Sequence, residues 1–242
     1  MAGDQAIGIL KAGEALPPVR AARRDFEVWI AEGLGVQEDE IRVVSPWSGD
    51  PLPDPASLRG VIVTGSPAMV SDCEAWSEAS ASWLARIVEG DLIPVLGICY
   101  GHQLLAHGLG GEVGPNPRGR EMGTMEVMRV EGAHEDDLMP DAARFPGHMS
   151  HLESVLRPPE SAILLARTAL EPHAALRFGP RQWGVQFHPE FDRDIMQRYV
   201  DARREALLEE GFDPDGISDR AIETPESTGV LARFAALANA RD

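Results

Sequence analysis

The stretch Leu92–Gly101, LIPVLGICYG, constrains this chain more than any other part of it. An apolar run rich in Ile, Val and Leu ends at Gly97, and Cys99 then sits between Gly97 and Gly101 as Gly-x-Cys-x-Gly. A helical pattern, Tyr100–Leu109, opens with no residues to spare for a loop. A strand that turns straight into a helix forces the residue at the corner into a strained backbone. The flanking positions are then too crowded for a Cβ, which glycine relieves. The corner side chain projects at the C-terminal edge of a sheet, where open α/β folds bind ligands. It also meets a helix N-terminus, whose partial positive charge favours thiolate over thiol. A buried structural cysteine is the plainer reading of the same segment. Cys99 becomes a nucleophile only if a base arrives from elsewhere.

The rest of the chain alternates short apolar runs with helical stretches, which predicts an α/β fold. Strands are expected at Ala6–Lys11, Ile41–Ser45, Gly60–Thr64 and Leu92–Ile98, and helices at Arg20–Glu32 and Glu74–Glu89, the latter ended by Gly90. Closely spaced strand signals follow at Thr124–Val130, Ala162–Thr168, His173–Phe178 and Gln182–Phe187. These predict antiparallel additions to the sheet or a small second sheet. Helix returns over Asp192–Glu210 and Thr228–Ala240. A length of 242 residues suits one large domain or one domain with a small appendage. The division expected is a catalytic unit over 1–191 and a C-terminal helical extension over 192–242 packed on it.

Charge narrows the function classes. The formal net charge is −17, from 39 acidic against 22 basic residues, and such a surface repels nucleic-acid backbones. The acids at Glu38–Glu40 and Glu135–Asp137 read as solvated surface. No apolar run approaches a membrane span and MAGDQAIGIL lacks the pattern of a secretory signal, so a cytoplasmic protein is expected. Cys73, in SDCEAW, and Cys99 are too few for a disulfide framework. His102, His107, His148 and His151 lack partners at ligand spacing, so no metal site is expected. There is no Gly-rich phosphate loop and no other cofactor signal.

A base for Cys99 is offered by QWGVQFHPE, Gln182–Glu190. Residues i and i+2 of an extended chain face one way, and Pro189 keeps His188 out of the helical region. Glu190 can then orient one ring nitrogen of His188 and leave the other for the thiol, the logic of a nucleophile–base–orienter triad. Read alone, His-Pro-Glu after a strand is most simply a loop. The coincidence with the cysteine corner gives it weight.

Taken together, these segments resemble the class I glutamine amidotransferases, the family that includes the glutaminase domain of GMP synthase. GICYGHQ (Gly97–Gln103) is similar to the family's nucleophile motif, GVQFHPE (Gly184–Glu190) to its His-x-Glu motif, and TGSP (Thr64–Pro67) to its oxyanion loop. The likeness runs from about residue 60 to 191. It implies a flavodoxin-like, mostly parallel central sheet with helices on both faces. It implies Cys99 as nucleophile, His188 as general acid/base, Glu190 as orienter, and the N–H groups of Gly65 and Tyr100 as oxyanion hole. Gln103, Ser150 and His151 match positions that hold the substrate's amino-acid end. In MSHLE, Leu152 and Glu153 depart from the Gly-Asp of the GMP synthase branch. GRE (Gly119–Glu121) has a counterpart there, to which no role is given.

Three functions follow as expectations. The first is hydrolysis of glutamine, with ammonia passed to a synthetase on a separate chain. The second is a γ-glutamyl hydrolase acting on a small amide or peptide, favoured by the altered Leu152–Glu153. The third is a non-catalytic regulatory subunit on the same fold.

Overall fold

The computed structural model describes residues 5–131 and 136–240. The first four residues of the N-terminal stretch and Glu135 of the acidic run lie outside them.

The chain opens with β1 (Ala6–Leu10), α1 (Pro17–Arg23), α2 (Phe26–Leu34), β2 (Ile41–Val44) and β3 (Leu58–Val63). Next come α3 (Ala75–Glu89), β4 (Val95–Ile98), α4 (Tyr100–Gly108), β5 (Glu112–Pro115), β6 (Glu121–Arg129), β7 (Arg144–His151) and β8 (Glu153–Arg157). It closes with β9 (Ile163–Arg167), β10 (Ala175–Gly179), β11 (Gln182–Val185), α5 (Arg193–Ala202), α6 (Arg204–Glu209), α7 (Pro214–Asp219) and α8 (Pro225–Asn239).

Nine strands form one sheet in the order β2-β1-β3-β4-β11-β10-β9-β6-β7, and β5 and β8 pair as a separate antiparallel ribbon. The first five strands of that order are mutually parallel. The remaining four pairings are antiparallel. The parallel part is built from runs such as AIGIL and VLGI, apolar on both faces because helices cover both sides. Alternate residues serve opposite layers. Ile62, Leu96 and Ile98 join a core with α2, α5 and α8, whereas Val61, Val63 and Val95 pack against α3 and α4.

Both antiparallel outcomes foreseen from the sequence occur, although β5, β7 and β8 carried no readable strand signal. β7 contains Pro146, which cannot donate to a ladder, and it lies at the edge of the sheet order. Its far end nevertheless returns to the centre, where the His148 carbonyl accepts the N–H of His188 at 2.8 Å.

Two expected helices are each broken in two. The helix over 20–32 stops where Arg24 takes a φ of 69° and Asp25 becomes the cap of α2. Asp25 accepts hydrogen bonds from Phe26 N, Ala15 N and the Lys11 ammonium, so a tertiary demand overrides continued helix. The helix over 192–210 breaks at Arg203, which joins α5 to α6 with a φ of −108°. Gly90 does follow α3, but the left-handed residue there is Asp91.

The segment beyond 192 packs tightly on the rest. Ile195, Met196, Tyr199, Val230, Leu231 and Phe234 join the same core as β1 and β3. A Cβ on Gly60 would lie 3.1 Å from that of Ala238, so β3 and α8 touch backbone to side chain. Asp136 corrects the surface reading of its acidic run. Its side chain is 2% exposed and accepts from Trp183 Nε1 and from the N–H groups of Leu138 and Met139. No helix among the described residues is long and apolar enough to cross a membrane.

Candidate active site

Three neighbouring strands, β3, β4 and β11, deliver the site from their C-terminal ends. Gly65 follows β3, Cys99 follows β4 and His188 follows β11. In register, Gly97 lies between Val63 on one side and Gly184 on the other. The cysteine and the histidine therefore leave adjacent strands at nearly the same height.

Cys99 has φ 50° and ψ −99°, a conformation L-residues rarely adopt. The corner is held by Cys99 N–H donating to Val185 O at 2.8 Å and by Gln103 N–H donating to Cys99 O at 3.1 Å. A Cβ on Gly97 would fall 2.4 Å from the Gly101 carbonyl, and one on Gly101 would fall 2.5 Å from the Val63 carbonyl. Both glycines are thus dictated by the closeness of strand and helix. The N–H of Tyr100, at the start of α4, has no acceptor within its own helix. Gly65 lies directly against His188, since a Cβ there would stand 3.0 Å from His188 Cε1.

His188 Nδ1 donates to Glu190 Oε1 at 2.8 Å, and both side chains are almost wholly buried. The ring is clamped on Phe191, with centroids 4.1 Å apart and planes 19° from parallel. With Nδ1 engaged, Nε2 is the nitrogen left for the sulfur, and Cys99 and His188 line one cleft within hydrogen-bonding reach. Burial pushes the Cys99 thiol up, but His188, by charge and hydrogen bond, and then His151 outweigh it, so the thiol lies below its ordinary value. Burial likewise opposes charge on His188, yet the Glu190 carboxylate and the sulfur raise it. Each group thus favours the charged form of the other, the pattern that a thiolate–imidazolium pair requires.

Two clefts meet at Cys99 and share Ser66, Pro67, Ser150 and Arg203. One runs past His188 to Leu16, Phe26 and Tyr199, and the other past Gln103, His151 and Glu153 to Arg120. Of the three residues expected to hold substrate, Ser150 carries a hydroxyl with no partner among the described residues. The Gln103 amide nitrogen is already committed, donating to Glu153 O and Gln186 Oε1.

His151 lines the cleft with both nitrogens engaged, Nδ1 with Glu153 O at 2.9 Å and Nε2 with Glu121 Oε2 at 3.1 Å. A carbonyl only accepts, and an ionised Glu121 would also accept, so this setting favours a ring protonated on both nitrogens. Burial resists that charge, but the Glu121 hydrogen bond and the nearby sulfur raise the His151 pKa. Glu121 also accepts from Thr168 Oγ1 at 2.6 Å. The GRE stretch thus supplies a buried counter-ion for His151. The departure at Glu153 acquires a structural sense: its carboxylate accepts from the N–H groups of Val70 and Ser71 and from the Ser71 hydroxyl, pinning the loop beyond Gly65.

Sequence reasoning missed Arg203, Arg120 and Glu121. The GRE stretch was a signal for the last two; Arg203 had none, since RREALLEE reads as a solvated helix. Cys73, Glu78 and His107 also bring donor atoms within 4.8 Å of one another, a grouping that sequence spacing concealed, but none of them lines the clefts.

The family model for class-I glutamine amidotransferases matches residues 31–201. The chain belongs to that family. Curated relatives include the glutamine-hydrolysing GMP synthase of Aeropyrum pernix, 40% identical over 157 residues, which are 63% of this chain and 28% of the relative. The same-named protein of Alteromonas mediterranea is 34% identical over 199 residues, 77% of this chain and 34% of the relative. The chain therefore spans about a third or less of these relatives' length. Among solved structures, a glutamine amidotransferase of Thermotoga maritima superposes with a TM-score of 0.76 at 20% identity, covering 97% of this chain and 99% of its own. A glutamine amido transferase from Methylobacillus flagellatus gives 0.72 at 20% identity, covering 98% and 96%. Both share the class I amidotransferase fold, a mostly parallel sheet with helices on each face.

Proposed function

We propose that this amidotransferase hydrolyses the side-chain amide of glutamine to glutamate and ammonia through a thioester on Cys99. The observation that carries the reading is the buried chain from Cys99 through His188 to Glu190. The thiolate adds to the amide carbon, and the carbonyl oxygen becomes an oxyanion facing the N–H groups of Gly65 and Tyr100. His188 gives its Nε2 proton to the amine nitrogen, the C–N bond breaks and ammonia leaves. Water then loses a proton to His188 and adds to the thioester; the thiolate departs, and glutamate is freed. Released ammonia would pass to a synthetase on a separate chain, as the partial match to GMP synthases suggests. The two free cysteines suit a reducing cytoplasm.

Glutamate release from glutamine, alone or with candidate synthetases, tests this, with Cys99→Ala as control. No release under any of these conditions, with glutamine-like electrophiles failing to label Cys99, counts against it.

A second reading, hydrolysis of a larger γ-glutamyl amide, is favoured by the apolar lining of the His188-side cleft by Leu16, Phe26 and Tyr199. A γ-glutamyl amide turned over faster than glutamine supports it over the first.

A further inference from the structure

Arg203 brings an arginine side chain to the cleft beside Cys99. It sits at the break between α5 and α6, where its backbone is fixed: its N–H donates to Tyr199 and Val200 carbonyls and its carbonyl accepts from Leu207 N–H. Its side chain reaches the seam of both clefts beside Cys99 and Ser150. Its Nε is buried and has no hydrogen-bond partner, and no ion pair joins the guanidinium to any described carboxylate.

The neighbouring cation is in the opposite condition. Arg120 holds Glu210 through two parallel hydrogen bonds of 2.8 Å, so its charge is spent within the protein. Arg203 thus lies half-buried near another guanidinium; burial and then Arg120 act against its charge and outweigh the favourable influence of Tyr199, Cys99 and Glu210. An arginine stays protonated regardless, and a desolvated, unpaired cation is costly until an anion reaches it. Cys99 lines the same two clefts, and a γ-glutamyl substrate bound there carries an α-carboxylate a few bonds from the scissile amide. Gln103 and His151 have their hydrogen-bonding nitrogens occupied, which leaves the neutral Ser150 hydroxyl and the Arg203 guanidinium, and of these two only Arg203 offers a carboxylate a positive charge.

We propose that Arg203 is a specificity-determining residue that binds the α-carboxylate of the γ-glutamyl substrate. This rests on the proposed thioester chemistry at Cys99 and adds to it the residue that selects a free α-carboxylate.

The test compares wild type, Arg203→Gln and Arg203→Lys. Two electrophiles label Cys99: 6-diazo-5-oxo-L-norleucine, which carries an α-carboxylate, and iodoacetamide, which does not. Ammonia release from L-glutamine and from L-glutamine α-amide supplies the matching pair of substrates. The expected result is an about 10- to 100-fold loss for Arg203→Gln with the carboxylate-bearing compounds, chiefly in KM, the range for a lost charged hydrogen bond. Reaction with iodoacetamide and with the α-amide should stay within about twofold on the same argument, with Arg203→Lys between the two. Equal losses with both electrophiles would mean that Arg203 serves the thiolate or the fold, and would overturn the proposal. Unchanged labelling by the norleucine analogue in Arg203→Gln overturns it too, while leaving the glutaminase reading intact. If wild type reacts with iodoacetamide and not with the norleucine analogue, the glutaminase reading itself falls, and this inference with it.

Discussion

Glu190 uses one carboxylate oxygen to receive the Nδ1–H of His188 and keeps the other buried with no partner. The negative charge therefore has a single outlet, the imidazole. Glu190→Gln should keep the shape, remove the charge and slow the proposed glutamine hydrolysis by roughly 10²- to 10⁴-fold, the usual weight of a general acid–base assembly. Steady-state rates at saturating glutamine check this. A rate within twofold of wild type would show that His188 needs no orienter.

The Cys99 thiol should titrate below its ordinary value of 9.0 because the imidazolium beside it favours the thiolate. Alkylation by iodoacetamide should therefore reach its plateau at lower pH than for a free thiol. In His188→Asn the favourable charge is gone and burial remains, so the midpoint should move upward. Labelling rates between pH 5 and 10, read by mass spectrometry, measure both; coincident curves for the two proteins would contradict the pairing.

Gly101 has no room for a methyl group against the Val63 carbonyl. Gly101→Ala should lose about 1–3 kcal/mol of stability, the ordinary range for overpacking. It should also lose activity, since the helix that presents Cys99 must shift. Urea denaturation and glutamate release report the two effects. Full stability in this variant would mean that β3 and α4 are less closely apposed than described.

Glu121 and His151 form a buried pair, so Glu121→Ala should destabilise by about 3–5 kcal/mol. The pH dependence has a definite sign. His151 has a raised pKa in the fold, so its pairing contributes fully below the unfolded value near 6.5 and is lost as pH rises through the folded value. The gap between wild type and variant should therefore narrow toward alkaline pH. A gap that widens there contradicts a cationic His151.

His102 and His148 are the reverse case. Burial holds His102 down to about 3; burial and then the charge on His188 hold His148 down to about 4. Both stay neutral in the fold while the unfolded chain takes up protons. Their contribution is full above about 6.5 and falls with acid, by about 1.4 kcal/mol per pH unit per group. Urea midpoints at successive pH values from 7 to 4.5 should show this decline, and His102→Asn should make it shallower.

The cysteine corner was legible because its requirements are local. A strand meeting a helix at one residue needs glycine on either side, and sequence records that directly. His188 and Glu190 were legible for a similar reason, being two residues apart with a proline between. The helix breaks at Asp25 and Arg203 were not, because helical periodicity continues through both. Asp25 is claimed by Lys11 and Ala15 from other elements, which no window around position 25 displays.

The sequence alone determined the kind of fold and pointed to Cys99, His188 and Glu190 as one candidate site, because these rest on backbone sterics and on spacings of a few residues. Only the tertiary structure decided what surrounds them. It turned Glu121 into the counter-ion of His151, made Glu153 an anchor for the loop after Gly65, and brought Arg203 from the C-terminal helices to the cleft. Those placements depend on contacts between residues some 30 to more than 100 positions apart, fixed by how sheet and helices pack together.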